Sequence, residues 1–552
     1  MAKLQSSVKV LRWLFRHVGQ HRLQMSLNTF LGIFTVVLNL GFVWGVKWAV
    51  DIATGTVSGR LNMAVVLLVA IVLMQILTGF ANRWIQMLLG VRARNAMRAT
   101  TFRSMLDSSW QGLRRFHTTD VVSRVSEDAR DVTTFITDSI PNFISVVVQL
   151  IGAFLFMYTL NTGLAVAVLL ISPFFLLLSK LYIRRLHKLN HEVKESETHV
   201  LKCIQESLQH SIVVKTLERT EYVYDQLQDR QRHLFNKMRE RTVYSSISST
   251  ALNAGFAIGY LVTFVWGVYS LQSGVITYGG LTAFVQLVSR FQAPVRTLTY
   301  FIPHYISVAT STERLMELED VERETIFKPA ATSGGRAVDG GGNPVVPHLV
   351  FDDVTYRYEN DERDVIEHFS HTFPPGSVTA LMGETGAGKT TLVRLMLALV
   401  RPQSGCISLD GEPVTAASRS AFSYVPQGNT LLSGTIRANL LMGNPDATDE
   451  ELAEVLRLSA AEFVYDFPNG LDTLCSELGG GLSEGQAQRL CIARALLRSS
   501  GIIIFDECTS ALDSDTERRV IGGILSACRQ RTLIFVTHRA AVLEYCDETI
   551  RV

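Results

Sequence analysis

The chain has 552 residues, 47% of them hydrophobic, with 52 Lys plus Arg set against 51 Asp plus Glu. That much apolar surface would collapse or insert, which excludes a disordered chain, and the near-zero net charge excludes the broad positive field a nucleic-acid binder needs. The length suggests several domains, and the apolar excess assigns part of the chain to lipid.

Residues 1–22 mix Lys3, Lys9, Arg12 and Arg16 with Val8, Leu11, Leu14 and Val18. This amphipathic pattern predicts an N-terminal elbow lying on the inner membrane surface. The apolar run that follows is too long for a cleavable signal, and no accessory domain is expected ahead of it.

Residues 23–320 read as a transmembrane domain. No Asp, Glu, Lys or Arg occurs in Leu23–Val46, Leu61–Asn82, Ser139–Ser179 or Thr242–Ser289. About 20 helical residues cross a hydrocarbon layer of about 30 Å. The first two blocks therefore hold one span each. The last two are long enough for two each, with polar breaks at Asn161-Thr162-Gly163 and Gln272-Ser273-Gly274, so six membrane helices are expected.

Basic residues crowd the two long connections, among them Arg92, Arg94, Arg98 and Arg103 in one and Lys180, Arg184, Arg185 and Lys188 in the other. The positive-inside rule places both connections, and both termini, in the cytoplasm. The helical spacing of Leu181, Leu186, Leu189 and Val193 predicts helices that continue well below the membrane. Lys47 and Asp51, at i and i+4 near the outer end of the first span, read as a local ion pair. His187, His191 and His199 read as part of a solvated helix face, and the seven cysteines, none in a CxxC pair, as reduced thiols.

Residues 321–347, rich in Gly, Ser and Pro, read as a linker. From 348 to 552, short β-branched runs alternate with helical segments, the pattern of a soluble α/β domain. Its chemistry opens at Gly383-Glu384-Thr385-Gly386-Ala387-Gly388-Lys389-Thr390, with Thr391 next, between the strand-like Val378–Leu381 and the helical Leu392–Leu399. A GxxxxGK[ST] run in that context cradles the phosphates of ATP with backbone N–H groups at a helix N-terminus. Lys389 is expected on the β and γ phosphates and the Thr390 hydroxyl on Mg²⁺. Further on, Ile502–Phe505 is an apolar run ending in Asp506 and Glu507. It predicts a buried strand that delivers Asp506 to Mg²⁺ and Glu507 to the attacking water.

Leu482-Ser483-Glu484-Gly485-Gln486, between these two motifs, resembles the LSGGQ signature of ATP-binding cassette (ABC) proteins. The resemblance extends to Tyr358 as the aromatic that stacks on adenine, Gln427 in Val425-Pro426-Gln427 as the Q-loop residue and Mg²⁺ neighbour, and Glu477 as the acid before the signature. It also extends to Ser510-Ala511-Leu512-Asp513 as the D-loop and His538 as the switch histidine. The membrane half resembles the exporter branch at Phe116, Asp120, Ser123, Arg124 and Asp128, and at Glu206–Glu218.

Six membrane helices followed by one α/β P-loop nucleotide-binding domain is a half-transporter layout. The resemblance implies a multi-pass protein of the bacterial inner membrane, ATP and Mg²⁺ as cofactors, and pairing with a second half-transporter. In such a pair Ser483, Gly485 and Gln486 of one chain would close on the ATP held by the other. Glu507 and His538 are both present, which favours a homodimer, with a heterodimer as the alternative. Glu484 departs from the usual signature glycine, and the chain ends at Val552, where relatives continue with another strand and helix.

The expected function is ATP-driven export of a lipid, amphiphile, drug or other small molecule by alternating access. A siderophore-type importer on the same fold is the alternative, followed by a nucleotide-gated channel or a non-transport ATPase. Arg290, with Gln286 one turn earlier, lies within the sixth span and is the expected contact for an anionic group on the substrate. Membrane lipids are expected neighbours, and nucleic acid is not an expected partner.

Overall fold

The computed structural model describes residues 9–10, 12–14, 16, 22–324, 346–358, 361, 363–384, 386–476 and 481–552. The chain divides into two compact units, residues 1–103 with 118–320, and residues 104–117 with 321–552. Most of the expected linker, and with it Thr385 and Glu477, lies outside the described residues.

The first unit is helical: α1 (Arg22–Ala53), α2 (Leu61–Leu106, whose last turn joins the second unit), and further helices from Thr118 onward. The breaks fall where the polar interruptions stand. One helix runs to Leu160, Asn161 caps it in extended backbone, and the next begins at Thr162. Another ends at Gln272, and Thr277 caps the last helix by accepting from the Gly280 N–H. Among the described residues four segments are long and apolar enough to cross a membrane: Arg22–Ala53, Leu61–Leu106, Thr118–Leu160 and Thr220–Gln272. Two further helices, Thr162–Gln209 and Tyr278–Glu319, have comparable lengths of 48 and 42 residues. The last of these misses the apolar average because Gln286, Arg290 and Gln292 sit along its outer half.

Two apolar clusters hold this unit together. In one, Val43, Ala153, Met157, Ala165, Ala283, Phe284, Leu287 and Val288 are all buried. Three of them, Ala153, Ala165 and Ala283, are alanine, a small residue that lets membrane helices approach closely. In the other, Val10 and Leu14 pack with Met97, Val132, Phe135, Val308 and Leu315. Trp13 adds a hydrogen bond from its indole N–H to Glu319 at 2.8 Å.

The Lys47–Asp51 pair forms at 2.8 Å and does more than brace its own helix, because Asp51 also accepts from the Gly279 N–H at 3.0 Å. A Cβ at Gly279 would stand 2.3 Å from the Lys47 carbonyl oxygen, so only glycine allows this junction. At a π turn over Arg124–Asp128, Arg124 and Asp128 turn inward. Arg124 donates to Asp120 at 2.8 Å and Glu317 at 2.7 Å, while Arg314 pairs with Asp120 at 2.6 Å and Asp128 at 2.9 Å. The cluster crosslinks two helices far apart in sequence. The Thr162–Gln209 and Thr220–Gln272 helices run as a hairpin tied by Lys237–Glu192 at 2.7 Å. At its tip a short helix, Ser211–Thr216, leaves Leu208, Ile212, Val213 and Leu217 exposed.

The second unit is α/β. Its strands in chain order are β1 (Leu349–Tyr356), β2 (Ile366–Phe373), β3 (Val378–Met382), β4 (Ser404–Leu409), β5 (Glu412–Pro413) and β6 (Phe422–Val425). They continue with β7 (Gly434–Thr435), β8 (Leu474–Cys475), β9 (Ile502–Asp506), β10 (Thr532–Val536) and β11 (Glu548–Arg551). An antiparallel sheet has the order β2-β1-β4-β5, and a parallel sheet the order β11-β3-β10-β9-β6. β9 and β10 are central and buried at every residue, which explains their unbroken apolar runs. The parallel sheet ends its strands at one edge, where the loops after β3, β6, β9 and β10 meet; that edge carries the site. All seven cysteines are free, and burial pushes the Cys508 thiol well above its ordinary range.

Candidate functional site

The loop after β3 runs straight into a helix at Lys389–Met396. Gly388 caps that helix at φ 102°, a left-handed conformation, and a Cβ there would meet Ile366 Cδ1 at 2.6 Å. The Lys389 ammonium donates to the carbonyls of Gly383 at 2.6 Å and Glu384 at 3.0 Å, which holds a cation directly over the loop. Thr390 is exposed in the first helical turn, and Thr391 is buried behind it.

At the end of β9, Asp506 is 3% exposed and accepts from the Tyr424 hydroxyl at 3.1 Å. Burial raises its carboxyl above the ordinary range, Tyr424 pulls the other way, and the neighbouring Glu507 charge pushes up again. Burial and the same aspartate push the Tyr424 phenol up. The next residue, Glu507, has φ 47°, and its N–H is bonded to the Val536 carbonyl at 2.9 Å. A non-glycine residue in the left-handed region carries local strain. Here that turn gives Glu507 two partners: Gln427 Nε2 donates to one carboxylate oxygen at 2.7 Å, and His538 Nδ1 stands 3.5 Å from the other. Sequence order separates these three residues by 80 and 31 positions, and the strand edge brings them together.

Asp506, the Thr390 hydroxyl and the Gln427 amide are hard oxygen donors, suited to Mg²⁺. Among the described residues no cluster of three His, Cys, Asp or Glu side chains forms a metal cage. A single buried carboxylate near a phosphate cradle fits a Mg²⁺ ion that takes its remaining ligands from ATP and water.

The signature segment is built differently. Ser483 caps the helix Glu484–Leu497: its hydroxyl accepts from the Gln486 N–H at 3.2 Å and Gln486 Oε1 accepts from the Ser483 N–H at 2.9 Å. Glu484 is exposed in the first turn, so the departure from glycine leaves the capping box closed. Gly485 is forced, since a Cβ would lie 2.9 Å from the Ala511 carbonyl oxygen of the D-loop. Gln488 donates to Ser510 Oγ at 3.0 Å and accepts from the Ala511 N–H, and Arg539 donates to the Ser510 carbonyl at 2.7 Å and to buried Glu517 at 3.0 Å. The D-loop is thus braced from both sides. Among the described residues, no hydrogen bond or ion pair joins Ser483, Gly485 or Gln486 to Lys389, Thr390, Asp506 or Glu507.

Tyr358 lies beside the P-loop helix, its hydroxyl 3.1 Å from Thr391 Oγ1 and accepting from Arg394 Nη1 at 2.6 Å. The same Arg394 guanidinium stacks over the Trp110 ring at 5.0 Å, and Arg114 stacks at 4.9 Å. Trp110 opens a short helix, Trp110–Leu113, capped by Ser109, whose N–H is bonded to the Glu322 carbonyl at 2.7 Å. Tyr424, Arg394, Trp110, Gln488 and Arg539 were not singled out from sequence. Each is an ordinary residue on a helix, strand or loop until packing gives it a partner; only the aromatic in Phe422–Val425 beside the Q-loop hinted at one of them. Arg394→Met keeps most of the apolar stem and releases the Tyr358 hydroxyl. A hydrogen bond from a charged donor contributes about 1.5–3 kcal/mol, so ATP affinity is expected to fall roughly tenfold, with a shift in Trp110 emission. Titration with a fluorescent ATP analogue checks this.

The chain is similar to known proteins over both of its units. Residues 25–295 match the family profile of the ABC transporter transmembrane region, and residues 366–510 that of the ABC transporter. A multidrug export ATP-binding/permease protein of Staphylococcus aureus is 29% identical over 439 residues, 78% of this chain and 74% of the relative. The similarly named YgaD of Bacillus subtilis is 28% identical over 438 residues, again 78% and 74%. In fold, the chain is similar to a bacterial Atm1-family ABC exporter solved with ATP bound, at TM-score 0.78 and 23% identity, covering 97% of this chain and 93% of that one.

Proposed function

The chain belongs to the ABC transporter family, and we propose that two copies of it form one exporter that drives a lipid, amphiphile or hydrophobic drug out of the cytoplasm with ATP. Its transmembrane unit makes it an integral membrane protein, and its ATPase unit couples hydrolysis to transport. The observation that carries the proposal is the division of the ATP machinery. Lys389, Asp506, Glu507 and His538 gather at one sheet edge, while Ser483 and Gln486 close a helix cap elsewhere, with no bond to them among the described residues. A second copy supplies the missing half to each site.

In this reading the P-loop amides and Lys389 hold the β and γ phosphates, and Tyr358 stacks on adenine. Mg²⁺, when bound through Thr390, Asp506 and Gln427, would neutralise phosphate charge. Glu507 orients and deprotonates the attacking water, His538 steadies that carboxylate, and the partner's signature helix caps the γ-phosphate. Closure of the two cassettes is favoured by ATP and released by hydrolysis, and so switches the membrane helices between inward-facing and outward-facing states. The exposed apolar tip at Leu208, Ile212, Val213 and Leu217 supports pairing, since such a cluster on a charged helical hairpin needs a partner surface. Both Glu507 and His538 are present, which supports two identical chains. Residues 1–22 serve as the elbow, 23–320 as the transmembrane domain apart from the 104–117 segment that folds with the second unit, 321–347 as the linker and 348–552 as the ATPase domain, on the cytoplasmic side of a bacterial inner membrane.

Inverted membrane vesicles test the direction. ATP is expected to drive a fluorescent amphiphile into the vesicle lumen, and Glu507→Gln is expected to stop it. ATP-driven depletion of the lumen would instead mark an importer.

A further inference from the structure

Among the described residues of the membrane unit, Arg290 is a cation with no counter-charge. Arg290 lies in the helix Tyr278–Glu319, twelve residues from its start, which places it about 18 Å along the axis. Gln149 precedes the end of its own helix at Leu160 by eleven residues, about 17 Å. The two helices meet at that depth: Gln149 Nε2 donates to the Arg290 carbonyl at 3.2 Å. Both positions are near the middle of a hydrocarbon layer of about 30 Å, beyond the reach of an arginine stem snorkelling to either interface.

Arg290 is half-buried, and its guanidinium has no hydrogen-bond or ion-pair partner among the described residues. Asp51 and Asp138, acids just outside the charge-free runs of the neighbouring helices, are engaged elsewhere. Asp51 is held by Lys47 at the outer end, and Asp138 accepts from Gln86 near the inner end, where His304 packs against Phe135 at 5.6 Å. A charged guanidinium at this depth is costly unless it faces water or a ligand of opposite charge. Polar residues stand on both helices: Gln286 lies four residues before Arg290 on its own helix, and Gln149 is on the facing one.

We propose that Arg290, with Gln149 and Gln286, binds the anionic headgroup of an amphiphile at mid-membrane, and that the exported substrates are anionic amphiphiles with a carboxylate or phosphate head. The guanidinium offers a planar donor fork matched to either head, while the hydrocarbon tail remains among apolar helix faces. Apolar drugs without an anionic group gain nothing from Arg290 and are poorer ligands. This proposal rests on the transport reading above.

The test is equilibrium binding of cis-parinaric acid and its methyl ester, read by fluorescence, to the full chain in phosphatidylcholine nanodiscs without nucleotide. The acid is expected to bind at least about tenfold more tightly than the ester. Arg290→Gln should erase that preference and Arg290→Lys should keep part of it. Equal binding of acid and ester by the unaltered protein overturns the proposal with no variant needed, and so does a preference that survives in Arg290→Gln. Two competitors separate the sources of the anion. Displacement of the acid by phosphatidylglycerol in the nanodisc assigns the site to lipid headgroups, and displacement by inorganic phosphate assigns it to free anions. Either result supports an anion site, and displacement by neither overturns it. Because the assay uses no ATP, its failure is distinct from a failure of the vesicle transport assay.

Discussion

Glu507→Gln is expected to lower steady-state ATP turnover by about 100-fold to 10,000-fold, the range a positioned general base contributes, while ATP affinity stays within a few-fold of the unaltered protein. The substitution keeps the size of the side chain and the left-handed turn at φ 47°. It removes the charge that accepts from Gln427 at 2.7 Å and faces His538 at 3.5 Å. In the proposed site the phosphates are held by the loop after β3 and by Lys389, so binding has no reason to fall with hydrolysis. Phosphate release measured beside an ATP titration checks both halves of the prediction. Turnover within about tenfold of the unaltered protein would remove Glu507 from the chemistry.

Lys389→Ala is expected to lose binding as well as turnover, and that contrast separates the two roles. The ammonium is poised by the Gly383 and Glu384 carbonyls at 2.6 and 3.0 Å. Its loss removes charge-assisted bonds to two phosphates, each contributing about 1.5–3 kcal/mol. The substitution also leaves two carbonyl dipoles with no cation between them and the triphosphate. Together these effects are expected to weaken ATP binding by about 100-fold or more and to bring hydrolysis at ordinary ATP concentrations to background. An affinity that changes only slightly would mean that the lysine acts in the transition state alone.

The parts of this site that could be read along the chain are those where backbone chemistry dictates residue type. A left-handed helix cap admits Gly388, a buried central strand demands Ile502–Phe505, and a helix entry rewards Ser483 with Gln486 three positions on. The polar breaks at Asn161 and Gln272 worked for the same reason, since each stands where a helix must end. Residues whose meaning comes from distant partners stayed hidden. Arg394 looks like any helix cation until Trp110 and Tyr358 close on it from positions 284 and 36 residues away in sequence. Asp51 announced a pair with Lys47 but gave no sign of Gly279, more than two hundred residues later. The contiguous boundary at residue 320 likewise missed that Ser104–His117 folds with the ATPase unit, because a helical segment's composition does not reveal which unit it packs on. The last membrane helix is the reverse case. Its polar residues lower its apolarity, and two of them, Gln286 and Arg290, belong to the anion site proposed above.

The shared ATP site is tested most directly by pairing two broken chains. One carries Lys389→Ala and the other Ser483→Arg, each with its own affinity tag, and the mixed dimer is isolated through both tags. Each chain paired with itself is expected to be inactive. The mixed dimer brings an intact P-loop from one chain against an intact signature from the other, so its turnover is expected to return to about half that of the unaltered dimer, one site in two. Turnover no higher than that of either broken chain alone would contradict the account, because it would mean that each site is completed within a single chain.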